Sequence, residues 1–325
     1  MTRRTAGAVL LGARAAIFAA APVLAPNDPS RQYASHVYAP PMPPRLFDDG
    51  QVQRPFVYPL TVVDRLERRY ARDEARPVPI EFFAGGRLAS TGSSDPWLLL
   101  GGDPLGRDVF ARLLSGGRLS LGVAAVAVLL TLAVGSLAGA AAAFAGGWLD
   151  RLITGVADFV IVLPMLYAVV TLRAVMPLVL EPATVFWTMA IVMAMATWPL
   201  PARGVRAIVA GERRKGYAEA AYAAGAGPLR ILLRHLLPAA AGHVTTQGFL
   251  LFPAFIFAEA SLSFVGLGFA EPSASWGVML QDASRVSAMA EAPWLLAPAA
   301  AIVLTVVATR LLVTERPDIG SLAGR

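Results

Sequence analysis

Six apolar runs set the pattern of the chain, at residues 6–25, 119–144, 152–172, 183–200, 243–265 and 293–309. Each is close to the ~20 residues that a helix needs to cross a hydrocarbon core. Arg14 alone interrupts the first run, while Asp158 and Glu259 lie inside the third and fifth. The second is nearly all Ala, Leu, Val and Gly. At about 1.5 Å per residue it reaches roughly 39 Å, so it is expected to tilt or protrude. The pattern predicts an all-α integral membrane protein with six transmembrane helices. A basic start (Arg3, Arg4) and small residues at its end leave a cleaved signal peptide as the alternative for the first run; a retained helix is the reading taken here.

The polar stretches between these runs differ in kind. Residues 26–100 are close to ordinary soluble composition, with a Pro-rich stretch at 39–44 that reads as extended or turn structure. Within them, 61–76 is expected to form a solvated helix. Val62, Val63, Leu66 and Tyr70 would line one face, and Asp64–Arg68 and Arg69–Asp73 would form i,i+4 pairs. That helix would cap the membrane domain or offer a docking surface. Residues 101–118 read as an amphipathic elbow on the membrane surface. Asp103-Pro104 would open it, Val109, Phe110, Leu113 and Leu114 would form its apolar stripe, and Gly116-Gly117 would end it. Residues 202–242 read as two short helices joined at Gly225 and Gly227, with Pro228 opening the second. Leu229, Leu232, Leu233 and Leu236 would share a face beside Arg230 and Arg234. The small side chains of Ala220, Ala221 and Ala224 would let another protein approach closely, or the arginines would hold lipid headgroups.

Composition supports the membrane reading: 56% of the 325 residues are hydrophobic and 15% charged, against about 25% charged in soluble domains. The net charge of +6 is explained by topology. With the N-terminus inside, the inside segments 1–5, 146–151, 202–242 and 310–325 hold 13 basic and 5 acidic residues. The short outside loops 174–182 and 266–292 hold one basic residue and four acidic ones. That asymmetry predicts both termini cytoplasmic and segment 26–100 extracytoplasmic. Nucleic acid is not the partner implied. Zero cysteines exclude disulfides and thiolate metal sites, and three scattered histidines make no metal centre. No Gly-Lys-Ser/Thr loop exists, since the one lysine, Lys215, lies between Arg214 and Gly216. Any ATP hydrolysis that drives this protein must belong to another chain, and the chain is expected to bind no cofactor or metal and to catalyse nothing.

Ionisable groups inside apolar runs suggest function by default. Glu259, with Ser263 one turn further on, is a candidate pathway or gate residue, as is Asp158; the competing reading is a structural role for each. Arg14 is expected to snorkel, Gly135 and Gly139 to pack against a helix, Pro164 and Pro253 to kink their spans, and Trp276 and Trp294 to sit in the outer interfacial belt.

Three motifs carry a resemblance. Glu219-Ala220-Ala221, Gly225 and Leu237-Pro238 resemble the E-A-A-x3-G-x9-I-x-L-P signature of ABC-importer permeases, with His235 at the usual Ile position. LGGDPLGRDVFARLLSGGRLSL (100–121) resembles LGTDxxGRDxxSRLxxGxRxSL, and EASLSFVGLGFAEPSASWGVML (259–280) resembles EAxLSFLGLGxxxPxPSWGxML, both from dipeptide, oligopeptide and nickel importer permeases. The chain departs from that family in its ERPDIGSLAGR tail and in the longer segment 26–100. The resemblance implies a six-span, type I importer-like permease in the prokaryotic inner membrane. Its implied partners are a second permease, two ATP-binding cassette ATPases carrying ATP and Mg, and an extracytoplasmic solute-binding protein. The loop holding Tyr217, Glu219, Ala220, Ala221, Gly225, Leu229, Arg230, Arg234 and Pro238 would couple to the ATPases. Peptides are the implied solute, with nickel or another small solute as the alternative. A membrane scaffold or channel without an ATPase is the reading from a different class.

Overall fold

A computed structural model describes residues 3–48, 51–65, 67–92, 95–163, 171, 181–284 and 291–313. It forms two compact units, one of residues 1–122 with 257–308 and one of 123–256 with 309–325. The fold is mostly helical, but not all-α. Among the described residues, three helical stretches are long and apolar enough to span a bilayer: Val109–Ala145, Ala241–Phe264 and Pro293–Leu312. A fourth arises if Pro182–Thr197 and Pro199–Glu212, bent by 45° at Trp198, count as one span. The first run forms α1 (Arg3–Ala19) and a short α2 (Ala21–Leu24). The third run begins as a helix at Gly147–Val162 and continues, with Pro164, outside the described residues.

In the first unit, residues 45–90 are β-rich. Strands β1 (Arg45–Asp48), β2 (Gln51–Val57) and β5 (Val78–Pro79) form an antiparallel sheet in the order β1-β2-β5. Strands β3 (Leu60–Asp64) and β4 (Arg69–Arg72) form a hairpin, as do β6 (Glu81–Phe82) and β7 (Ala89–Ser90). The helix expected over 61–76 is therefore absent. Thr61-Val62-Val63 is β-branched and burial alternates with period two along Leu60–Asp64, a strand pattern. Asp64 accepts the Glu67 N–H at 3.1 Å, and Arg68 turns the chain with φ +52°. The expected i,i+4 ion pairs are replaced by Arg68–Glu291 (2.9 Å) and Arg69–Glu67 (2.8 Å). A small core of Val57, Leu60, Val78, Ile80, Trp97 and Leu98 lies beneath the strands. The Trp97 indole donates to the Met42 carbonyl at 2.9 Å.

The span that follows, α3 (Val109–Ala145), is one 37-residue helix without a break at Gly116-Gly117. Its cap is Asp108, which accepts the Phe110 N–H at 2.9 Å; Asp103 forms the preceding turn instead. The first turns are not an amphipathic elbow, because Val109, Ala111, Arg112 and Leu114 are all buried. The two glycines serve close packing. A Cβ on Gly117 would meet the Phe18 ring, and one on Gly116 would meet the backbone of Ser275. Trp276 is fully buried there, with its indole donating to the Leu113 carbonyl at 3.1 Å, so it is core rather than interfacial belt. Trp294 donates to the Gly102 carbonyl at 3.0 Å. Arg14 does not snorkel: its guanidinium donates to the Ala301 carbonyl at 2.8 Å.

In the second unit, α4 (Gly147–Val162), α5 (Pro182–Thr197) and α6 (Pro199–Glu212) pack with the C-terminal part of α3. Gly135 and Gly139 face the bend at 198–202, where a Cβ would strike Pro201 or the Ala202 carbonyl. The GxxxG pattern thus does pack a helix, against backbone that cannot swing aside. Gly139→Val is expected to destabilise the protein by about 1–3 kcal/mol through overpacking. Thermal unfolding of the detergent-solubilised protein checks this, with Gly155→Val, which meets open space, as the control.

Candidate functional site

The loop expected to contact a partner is built as the sequence implies. Helix α7 (Gly216–Ala223) ends in a glycine cap. Gly225 takes φ +78°, its N–H donates to the Tyr222 carbonyl, and the Ala226 N–H donates to the Ala221 carbonyl, both at 3.0 Å. Helix α8 (Pro228–Ile231) follows, opened by Pro228 in the first turn. It runs through a π turn at Leu232–Leu236 into α9 (Leu237–Ala239). Pro238 offers no N–H, so a regular α-helical ladder cannot pass through it, and the wider turn absorbs the mismatch.

Two layers divide this loop. Ala218, Ile231, Leu236 and Ala240 are buried against Ala140, Val205 and Val209. Outward, Tyr217, Glu219, Ala220 and Tyr222 are exposed, as are Leu229, Arg230, Arg234 and Pro238, while Ala221 is half-buried. The shared leucine face is therefore split: Leu236 is core and Leu232 packs against it, whereas Leu229 and Leu233 face out, 66% and 52% exposed. Ile231, which the leucine count passed over, takes the core position. At the loop's base Arg213 donates to the Phe144 carbonyl at 2.7 Å and lies over its ring. Glu212 accepts from Lys215 (2.7 Å) and from the Tyr217 hydroxyl (2.8 Å).

Of the candidate pathway residues, Asp158 meets the start of the 202–242 segment. Asp158 pairs with Arg203 at 2.5 Å, with both side chains half exposed. Close by in sequence, Arg206 donates twice to Asp150, at 2.5 and 2.6 Å. Glu259 lies in α10 (Ala241–Phe264), fully buried. It accepts from the Ser263 hydroxyl at 2.8 Å, and Ser263 in turn accepts the Phe269 N–H at 3.1 Å. Ser120 and Ser275 also face this carboxyl. Each accepts a backbone N–H of α11 (Trp276–Ala283), from Trp276 at 3.2 Å and from Val278 at 3.3 Å. No cation pairs with Glu259 among the described residues. Oε1 takes the Ser263 bond, while Oε2 is buried without a hydrogen-bond partner of normal geometry. The polar cage closes the turn between α10 and α11.

A charged cluster that sequence reading did not assemble lies in the same unit. Arg107 and Arg112 are buried to within 2% of full burial. Arg107 donates to Asp103 at 2.6 Å and pairs with Glu271 through both terminal nitrogens. Asp282 stands 3.5 Å from Arg107, and Arg112 reaches Glu271 at 3.0 Å. The i,i+4 spacing of Asp103 and Arg107 was the visible signal; the partners at 271 and 282 were not. Burial works against the Glu271 carboxylate, yet hydrogen bonds and charge from Arg107 and Arg112 hold it below the usual range. Burial, reinforced by Asp103, pushes Asp282 up to about 6.

Two outcomes are expected. Glu259→Gln keeps the acceptor without the charge and should leave stability nearly unchanged, whereas Glu259→Ala strands the serine cage and should cost about 1–3 kcal/mol. Thermal unfolding of both variants checks this; an equal loss in the two would show that the charge matters. The second concerns pH. Between pH 3.8 and about 6 the folded state holds an Asp282 proton that the unfolded chain has released. Stability therefore falls as pH rises through that window, and the full penalty stands above it. Asp282→Asn should raise the melting temperature near pH 7 and leave it unchanged near pH 4. A shift of the same size at both would sink the assignment.

Comparison with known proteins places these features in a family. Residues 131–314 match the family described as Binding-protein-dependent transport system inner membrane component. The chain is 36% identical over 214 residues to the oligopeptide transport system permease protein OppC of Bacillus subtilis, covering 66% of this chain and 67% of that protein. It is 35% identical over 234 residues to the glutathione transport system permease protein GsiD of Pectobacterium atrosepticum, covering 71% and 74%. It is 33% identical over 221 residues to the dipeptide transport system permease protein DppC of Alkalihalophilus pseudofirmus, covering 68% and 69%. With more than half of its length inside the family match, the chain belongs to the inner-membrane components of binding-protein-dependent ABC transport systems, as a multi-pass permease subunit that is not itself catalytic.

Proposed function

We propose that this permease imports peptides across the inner membrane in six spans, with both termini cytoplasmic. The observation that carries the reading is the two-layered loop 202–242. An inner layer of Ala218, Ile231 and Leu236 fixes its part beyond α6 to α6 and the end of α3, and an outer layer of Tyr217, Glu219, Ala220, Tyr222 and Leu229 meets solvent. A short helix seated this way transmits a push, which a floppy loop does not. Its exposed aromatic and aliphatic groups are what a partner surface buries. The partners on this reading are two ATPases, which carry ATP and Mg, a second permease, and a binding protein on the opposite side. The excess of basic residues in the inside segments, 13 against 5 acidic, supports the orientation.

On the same reading, segment 26–100 is extracytoplasmic and residues 101–118 join it to the permease core at 119–313. Glu259 and Ser263 brace the outer end of the fifth span, and Asp158 is tied to Arg203 rather than lining a pathway. The peptide class rests on the named solutes of the relatives, which include dipeptides, oligopeptides and glutathione. The ligand held by the partner binding protein, identified by mass spectrometry, decides among them.

Gly225→Val tests the coupling role. The left-handed φ at Gly225 costs a branched residue roughly 1–2 kcal/mol or more, although open space surrounds the position. The cap that aims α7 should therefore deform without a core clash. In the reconstituted complex, ATP hydrolysis should persist while uptake falls by at least tenfold. Normal uptake would remove the loop from the coupling path. Co-purification should bring ATPase chains and a second permease; a transporting assembly without them would overturn the importer reading itself.

A further inference from the structure

The β-rich segment carries a cleft that the permease role does not use. It is a cavity of about 380 Å³ between the chain after α2 and the β6–β7 hairpin. The walls are tied together by the Leu88 N–H, which donates to the Val23 carbonyl at 2.6 Å, and by Arg87, which donates to the Ala25 carbonyl at 3.4 Å. At its base Asn27 is buried and donates to Trp97 O at 2.7 Å and to the Asp108 carboxylate at 2.9 Å. The floor is thus pinned to the cap of α3.

Charges of both signs line this cleft, and their partners sort them. Asp28 accepts the backbone N–H and the hydroxyl of Ser30, at 2.8 and 2.6 Å. Asp95 pairs with Arg76 at 2.8 Å. Those two carboxylates are committed. Glu81 is not: no cation pairs with it among the described residues, and its carboxylate lies over Gly92, where a Cβ would strike it. Gly92 also takes φ +56°, so the bare backbone under Glu81 is required twice over. On the other side, Arg31 stacks on the Tyr33 ring at 5.2 Å and Arg87 makes its one carbonyl contact. Neither makes an ion pair among the described residues, although the Arg87 charge adds to the Ser30 hydrogen bonds that hold the Asp28 carboxyl below its usual range. A cleft that holds Glu81 and two guanidiniums with no ion pair between them suits a ligand that brings both charges itself.

We propose that this cleft binds a small zwitterion, a short peptide or free amino acid, with its ammonium on Glu81 and its carboxylate on Arg31 and Arg87. The cavity falls at the small end of ligand pockets, which run roughly 300–1,000 Å³. Only the choice of a peptide probe rests on the import reading above.

The test uses the full chain in lipid nanodiscs and measures binding of dialanine, N-acetyl-dialanine, dialanine amide and alanine by microscale thermophoresis. Dialanine or alanine should bind saturably, and blocking either end of dialanine should weaken it at least tenfold. Alanine binding tighter than dialanine would assign the site to free amino acids, tighter dialanine to peptides. Glu81→Gln should weaken the free peptide at least tenfold and abolish discrimination against the acetylated form. Arg31→Gln with Arg87→Gln should abolish discrimination against the amide. Unchanged binding in these variants, equal binding of blocked and free peptides, or no saturable binding of any probe would overturn the proposal. Unaltered melting curves for the variants keep a folding defect from imitating the result. Uptake by the reconstituted complex separates the two readings, since a permease that transports peptide but shows no such binding loses only this cleft.

Discussion

Two arginines in the protein interior hold the first unit together. Arg107 and Arg112 are among its largest fully buried side chains, and a guanidinium stripped of water has to be paired. Asp103 supplies one partner from the same turn, and Glu271, 164 positions away from Arg107, supplies another. The region after α10 is thereby bound to the start of α3. Removing one member of such a set leaves a buried charge without compensation, which costs about 3–5 kcal/mol. The cluster holds three carboxylates against two guanidiniums; burial first, and then the neighbouring Asp103, makes Asp282 the least comfortable of them as an anion.

Small residues do the complementary work where no charge is present. Gly116 and Gly117 let α3 approach Ser275 and Phe18, and the serine cage around Glu259 then locks the turn into α11. In the second unit, Gly135 and Gly139 let α3 approach the 198–202 bend. Dispersion between closely approaching backbones holds helices together in a bilayer, where lipid is as apolar as leucine. The same economy of size leaves the outer face of α7 as small alanines between exposed tyrosines.

Legibility differed by region for physical reasons. The loop 202–242 was readable because each of its signals is local: the glycine cap, the proline at a helix start and the alanine-rich turn act on their own neighbours. Residues 61–76 form strands rather than a helix, because opposite charges four apart also fit a hairpin. The β-branched run Thr61-Val62-Val63 and the turn at Asp64 outweighed those charges once Tyr70 could pair across from Val62. Trp276 lies in the core rather than the interfacial belt, since an indole suits both. Its buried N–H found the Leu113 carbonyl, an acceptor supplied by another helix.

The chain by itself determined the membrane class, the apolar runs, the family motifs and the helix-turn-helix at 216–239, since hydropathy and backbone preference act within a few residues. Tertiary structure alone decided that Arg107 finds Glu271, that Glu259 faces three serines, that Leu229 and Leu233 stay outside, and that Glu81 and Arg87 share a cleft. These are long-range pairings. They depend on which surfaces meet when burial is shared out, and no local pattern encodes that.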